Sequence, residues 1–297
     1  MKLAILGSSS RIAADFILGL SPEQASNMTL FARDPNRVSS MTGWPLAKVF
    51  PYADFGPHLA FDGILNFVGQ STPESRSTVS NDIRQVNRNF DNLALTYLDS
   101  CPNSRYVYLS SGAALGTQFS EPAKTGSAYQ TENLDEYSMA KRESELGHRR
   151  MAHHNIIDLR IFSYFHRTQS QESTFLLSNI VRAIRTGEIL EVEPVNIWRD
   201  FLGAADFSQL MFASLSTSLR NATIDAFTAA PISKFELLDT CAAQFKLKYV
   251  IKPQISTTGP SKEKYYSEAR SELLDYKPTQ SSLENVLTEI GAILKTE

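Results

Sequence analysis

Only two cysteines, Cys101 and Cys241, occur among the 297 residues of this chain, too few for a disulfide framework. No apolar run approaches the roughly eighteen residues that span a bilayer. The apolar amino-terminal stretch is a strand interrupted by serines, not a signal peptide with a cleavage site. Basic residues hold no surplus: 29 Lys and Arg stand against 32 Asp and Glu, a net charge of −3. That balance argues against a nucleic-acid or anionic-membrane binder. Internal repeats and low-complexity tracts are missing. His148, His153 and His154 have no acidic or cysteine partner at ligand spacing, so they read as a solvated helix end and no metal is expected. What remains is an ordinary cytoplasmic globular composition, 42% hydrophobic and 21% charged, with length for one large domain or two modest ones.

What is present begins at the amino end. Lys2–Leu6 reads as a short buried strand that runs into Gly7-Ser-Ser-Ser-Arg-Ile-Ala13 and then into an apolar-periodic helix ending near Leu20. Strand, small-residue turn and helix in that order make a phosphate cradle, because a helix start offers unpaired N–H groups and partial positive charge to a pyrophosphate. The glycine pattern is degraded: Ser10 and Ala13 stand where a strict fingerprint has Gly. Gly7, Ser9, Ser10, Arg11 and Ile12 are the expected cofactor contacts here. A second strand, Met28–Phe31, ends in Ala32-Arg33-Asp34-Pro-Asn-Arg37. An acid at this strand end suits the ribose hydroxyls of NAD, and an arginine suits a 2′-phosphate. Arg33, with Arg37 as a second contact, favours NADP, while Asp34 leaves NAD as the alternative.

Tyr137-Ser-Met-Ala-Lys141 places a tyrosine and a lysine four residues apart, one turn above each other on a helix face. A lysine ammonium there lowers the pKa of a nearby phenol and makes Tyr137 a proton donor and acceptor. Ser110 and Ser111 follow the apolar run Tyr106–Leu109, and a serine hydroxyl could hold the oxygen that exchanges the proton.

Taken in order along the chain, these segments resemble an extended short-chain dehydrogenase/reductase of the NAD(P)-dependent epimerase/dehydratase kind, nearest the nucleotide-sugar ketoreductases and epimerases. The resemblance includes Gly7–Ala13, the strand Phe61–Val68, Tyr106–Gly116, Tyr137–Lys141, Leu159–Phe162, Arg199-Asp-Phe-Leu202 with Asp206, and the tail Leu273–Ile290. It implies Ser111 as the catalytic serine, Tyr137 as the acid/base, Lys141 as the ribose-binding lysine and Asn87 as the family's helix asparagine. Asp54, Val68 and Gly69 join the expected cofactor contacts. Arg199 stands where nucleotide-sugar members use an arginine on the substrate diphosphate. Ser111, Gly112, Ser163, His166 and Arg199 are the expected substrate contacts, with Ser163 where many relatives have an asparagine. The implied activity is reduction of a keto-sugar nucleotide in deoxysugar and polysaccharide synthesis, by a homodimer formed through the helices Asp82–Leu98 and Glu136–Ala152. Val86, Phe90, Leu93 and Tyr97 give the first of these an apolar stripe.

The expected fold is α/β, a Rossmann-type doubly wound parallel sheet with a smaller carboxy-terminal substrate-binding lobe. Strand signals at 2–6, 28–31, 61–68, 106–109 and 156–162 alternate with helices. Residues 1–165 with about 196–228 form the NADP-binding domain, and 166–195 with 229–297 the substrate lobe. In the latter, Thr174–Ile184 reads as helix, and Ile189–Val192 and Lys248–Lys252 as strands. Ser71–Ser80 reads as a loop near the cofactor mouth. Trp198 suits either a pocket wall or the core. Dehydratases of the family follow the catalytic hydroxyl with an Asp-Glu pair, and here Gly112-Ala113 follow Ser111. Neither can carry a proton, which leaves a reductase, or an epimerase with tightly held NAD. The competing class is a non-catalytic NADP-binding sensor.

Overall fold

In the computed structural model, residues 1–69, 83–132, 134–168, 175–252, 262–269 and 274–295 are described. Six strands come first in the chain: β1 (Leu3–Leu6), β2 (Met28–Phe31), β3 (Val49–Phe50), β4 (Gly63–Asn66), β5 (Arg105–Ser111) and β6 (Asn155–Ile161). After them come β7 (Ser163–Tyr164), β8 (Ile189–Val192), β9 (Trp198–Arg199), β10 (Phe201–Leu202), β11 (Ala222–Asp225), β12 (Ile232–Ser233), β13 (Lys248–Ile251) and β14 (Lys264–Tyr265). Seven form one sheet in the order β11-β6-β5-β4-β1-β2-β3. All its pairings are parallel. Every residue of β1 and β4 is buried, as a sheet covered by helices on both faces requires. The chain runs from β1 outward to β2 and β3, then returns to place β4 on the other side of β1. A sheet that reverses its order in this way opens a crevice at the carboxyl ends of the two central strands. Gly7 and Phe67–Gly69 lie there.

Hydrophobic clusters pack on both faces of this sheet. One gathers Phe16, Leu65, Val107 and Phe207, and the other Phe31, Phe61, Tyr97 and Tyr106. A separate cluster joins Phe165, Ile180, Leu237, Cys241, Val286 and Ile290. It belongs to the helices Leu176–Thr186, Lys234–Phe245 and Ser282–Leu294, with the parallel pair β8–β13 beside it. Both cysteines are free thiols. Among the described residues no helix is long and apolar enough to cross a membrane.

Most expected elements form within a few residues of their sequence bounds. The strand expected over Phe61–Val68 is limited to Gly63–Asn66. β3 and β11, two and four residues long, have no pattern of their own in the sequence. The helix expected from Asp82 is described from Ile83 to Ser100. Its buried face is Ile83, Asn87, Asp91, Ala94 and Leu98, with Tyr97 beside it, so the face on the sheet is partly polar and Val86, Phe90 and Leu93 lie on its flank. Ser71–Ser80, Thr174 and Leu273 lie outside the described residues.

The histidine reading needs correction. His148 is fully buried, 2.6 Å from Asp158 and 2.8 Å from Asp91. Its carboxylate partners come from β6 and from the helix Ile83–Ser100, at separations that a local spacing rule does not detect. His154 is also buried, and only His153 is exposed.

Candidate active site

The glycine at the end of β1 is fixed by geometry. Gly7 has φ +79°, and a Cβ there would lie 2.7 Å from the Val68 nitrogen. Both facts demand glycine, and the close approach leaves bare backbone facing the crevice. Ser8 ties the turn to β2 by donating its hydroxyl to the Phe31 carbonyl at 2.9 Å. Ser9 is half-buried in the turn. Ser10, the departure from the glycine pattern, caps the helix Arg11–Leu18: its hydroxyl accepts from the Ala13 N–H at 3.3 Å. The other first-turn N–H groups have no intrahelical acceptor, so the helix start has donors that could receive an anion. Arg11 is exposed and donates to the Thr168 carbonyl, and Ile12 packs on the core.

Tyr52 was not found by sequence reasoning. Its hydroxyl accepts from the Gly7 N–H at 3.1 Å, and its ring lies 4.5 Å from that of Phe90. Burial pushes its pKa up to about 12, while the bond from Gly7 and the nearby Arg33 pull the other way. Arg33 is exposed just beyond β2. Asp34 caps the next helix by accepting from the Arg37 N–H at 3.2 Å, so the acid at this strand end has a local task. Asp54 is exposed in the single helical turn Tyr52–Asp54.

Across the crevice, β5 ends in the two serines. Ser110 turns to the buried Glu145, which is held by Arg160 and Tyr129. Ser111 accepts from the Ala113 N–H at 3.2 Å and lies 3.3 Å from the Tyr265 hydroxyl. A Cβ at Gly112 would lie 2.4 Å from the Phe162 ring, so no larger residue fits there without a shift. The helix Glu136–Arg150, capped by Asp135, carries Tyr137 and Lys141. Lys141 is buried, with its ammonium 5.9 Å from the Tyr137 ring centroid. It donates to the Leu109 carbonyl at 2.8 Å and to the Tyr108 hydroxyl at 3.2 Å. Burial lowers its pKa to about 8, against the pull of Asp91, Glu145 and Asp158. Tyr108 in turn donates to Asn87 Oδ1 at 3.2 Å, so Asn87 and Lys141 are linked through a phenol. Val68 N–H is held by Asn66, and a Cβ at Gly69 would lie 3.4 Å from Lys141 Nζ. The glycine strip after β4 and the lysine therefore face each other.

From the last third of the chain, Tyr265 on β14 reaches into this cluster. Its ring packs on Phe119 and Phe162 at 4.9 and 5.2 Å. Burial raises its pKa well above the ordinary range; the bond with Ser111 opposes this, and Tyr137 lies near enough to add to it. Arg199, on β9, has its guanidinium 5.7 Å from the Tyr265 ring centroid. Nη1 donates to the carbonyls of Trp198 and Lys262, both at 2.7 Å. No carboxylate among the described residues pairs with it, and burial lowers its pKa to about 10. Ser163 lies on β7, paired with Phe201, and is half-buried. His166 is 2.8 Å from Asp15 and 3.8 Å from Glu289, bracing the helix Arg11–Leu18 against Ser282–Leu294. Its ring nitrogens thus face carboxylates of the protein.

Ser111, Tyr137, Lys141, Asn87 and the Gly7 turn therefore border one crevice, with Arg199 behind Tyr265. The profile of the NAD dependent epimerase/dehydratase family matches residues 52–226. The chain belongs to that family. It is an NAD(P)-dependent enzyme of the oxidoreductase type. The family match begins after the Gly7 turn, so the two observations are independent. A search of the curated proteins found no match.

Solved structures share the whole fold at low identity. A UDP-N-acetylglucosamine 4-epimerase from Methanobrevibacter ruminantium, in complex with UDP-N-acetylmuramic acid, is 15% identical with a TM-score of 0.76, covering 100% of this chain and 99% of its own. A UDP-glucuronic acid 4-epimerase from Bacillus cereus, with UDP-glucuronic acid and NAD, is 14% identical with a TM-score of 0.76, covering both chains fully at 100%. RMD from Pseudomonas aeruginosa, complexed with NADPH, is 17% identical with a TM-score of 0.72, covering 98% of this chain and 99% of its own.

Proposed function

We propose that the protein is an NADPH-dependent reductase of a keto-sugar nucleotide, of the nucleotide-diphosphate 4-keto-6-deoxysugar type. The observation that carries the substrate class is Arg199. A half-buried guanidinium that donates to two carbonyls and has no carboxylate partner among the described residues, one residue layer from Ser111, is a fixed cation suited to an anion. A substrate diphosphate supplies one, and the planar fork suits it. Arg33 supports NADP, because Asp34 is engaged as a helix cap and the arginine is left exposed for a 2′-phosphate. The Gly7 cradle, where a Cβ would meet backbone, fits a pyrophosphate.

When bound, the nicotinamide supplies hydride to the carbonyl carbon. The residues do the rest. Ser111 donates a hydrogen bond to the carbonyl oxygen, since its own oxygen already accepts from the Ala113 N–H. Tyr137 gives its phenolic proton to that oxygen as charge develops. Lys141, next to Tyr137 and facing the glycine strip, favours the resulting phenolate and holds the ribose. Gly112 and Ala113 provide no carboxylate for an elimination, so the carbons beside the carbonyl keep their protons. An epimerase with held NAD is the second reading, favoured by the epimerases among the similar structures; it needs the same three residues.

The test is Arg199→Ala. KM for a nucleotide-diphosphate keto-sugar rises at least about tenfold, in line with the loss of a charge-assisted contact, while KM for NADPH is unchanged. Efficient reduction of ketones that carry no phosphate, indifferent to this substitution, would defeat the reading.

A further inference from the structure

Asp99, His153 and His154 lie outside the site described above and have no part in its chemistry. Asp99 closes the helix Ile83–Ser100, and the two histidines occupy the turn between Glu136–Arg150 and β6. One ligand-capable atom from each lies within 4.8 Å of those of the other two. The His153 and His154 rings approach to 4.0 Å between centroids, and His154 Nε2 is 3.1 Å from Asp99 Oδ1. The His154 side chain is 2% exposed and its Nδ1 has no hydrogen-bond partner among the described residues. An imidazole placed in this way is fixed in position and incompletely satisfied.

We propose that these three side chains bind a divalent transition cation of the Zn2+ class, with water completing the shell, and so clip the end of the helix to the turn before β6. Two imidazoles and one carboxylate form a borderline donor set, which suits Zn2+, Co2+ or Ni2+ and not the oxygen-seeking Mg2+ or Ca2+. Tetrahedral ligands about 2.1 Å from zinc lie roughly 3.4 Å apart. Rotation of the two exposed side chains, Asp99 and His153, closes the set around the fixed His154.

Isothermal titration of tag-free, chelator-stripped full-length protein with ZnCl2 tests the site. The expected result is one equivalent bound with a Kd in the micromolar range, a rise in Tm, and no response to MgCl2. Asp99→Asn and His153→Ala, both at exposed positions, each weaken zinc binding at least tenfold and abolish the Tm rise, while His58→Ala leaves both intact. Co2+ bound to the wild type gives tetrahedral visible absorption that the two variants lack. Absence of stoichiometric binding, or binding that survives both substitutions, overturns the proposal.

Discussion

His148→Gln tests whether the buried charges under the active site are understood. The imidazole lies between Asp158 at 2.6 Å and Asp91 at 2.8 Å. Burial alone would lower its pKa, but the two carboxylates outweigh it and raise it from 6.5 to about 10. A raised folded pKa means stability that is complete below the unfolded pKa and lost as pH rises through the folded one. Each pKa unit is worth about 1.4 kcal/mol, so the protonated ring contributes on the order of 4 kcal/mol at pH 7 and on the order of 1 kcal/mol at pH 9. The pH 7 figure agrees with the roughly 3–5 kcal/mol expected for removing one partner from a buried ion pair. Asp91 keeps the Tyr106 hydroxyl and Asp158 keeps Arg149, which softens the loss. Urea unfolding followed by circular dichroism at several pH values measures the gap between wild type and variant. It narrows by more than half between pH 7 and 9, and the variant melts on the order of 10 °C lower at pH 7. A gap below about 1 kcal/mol at pH 7, where about 4 is expected, or one that stays constant with pH, would refute a protonated His148.

Three further outcomes follow from the crevice and its helices. Tyr137→Phe lowers kcat by at least about 100-fold, the usual range for loss of a general acid, and leaves NADPH affinity intact by fluorescence titration; near-normal turnover would remove the assignment. Arg33→Ala weakens NADPH by about 1.5–3 kcal/mol with little effect on NADH, and equal weakening of both would favour the epimerase reading. The helices Ile83–Ser100 and Glu136–Arg150, already joined by the Arg84–Glu143 pair, form a homodimer in our reading, and a monomeric mass by light scattering at micromolar concentration would count against it.

The sheet was legible because its central strands are short apolar runs separated by helices, and period alone locates them. β3 escaped because two residues have no period, and β11 because it is an edge strand with only one fully buried residue, so it is not an apolar run. The Gly7 turn was legible because local chain geometry dictates its residue type, and Tyr137 and Lys141 stood out by their four-residue spacing on one helix face. Tyr52, Tyr108 and Tyr265 were not: each serves through a hydroxyl placed by tertiary packing, at 45, 33 and 154 residues from its partner in Gly7, Lys141 and Ser111. In sequence such tyrosines cannot be told from core aromatics. His148 was misread for the same reason, since both of its carboxylates arrive from other elements.

The Ser111–Tyr265 contact also sets an order in time. The Gly7 turn meets its packing partners Tyr52, Phe67 and Val68 within the first quarter of the polypeptide. The hydroxyl at the end of β5 acquires its neighbour only when β14 has been synthesised. On the ribosome, a nascent chain can therefore assemble the contacts of the cradle long before the serine has its final surroundings. Grafting the amino-terminal sheet onto a foreign carboxy-terminal segment would carry the cradle across intact and leave that serine without its phenol.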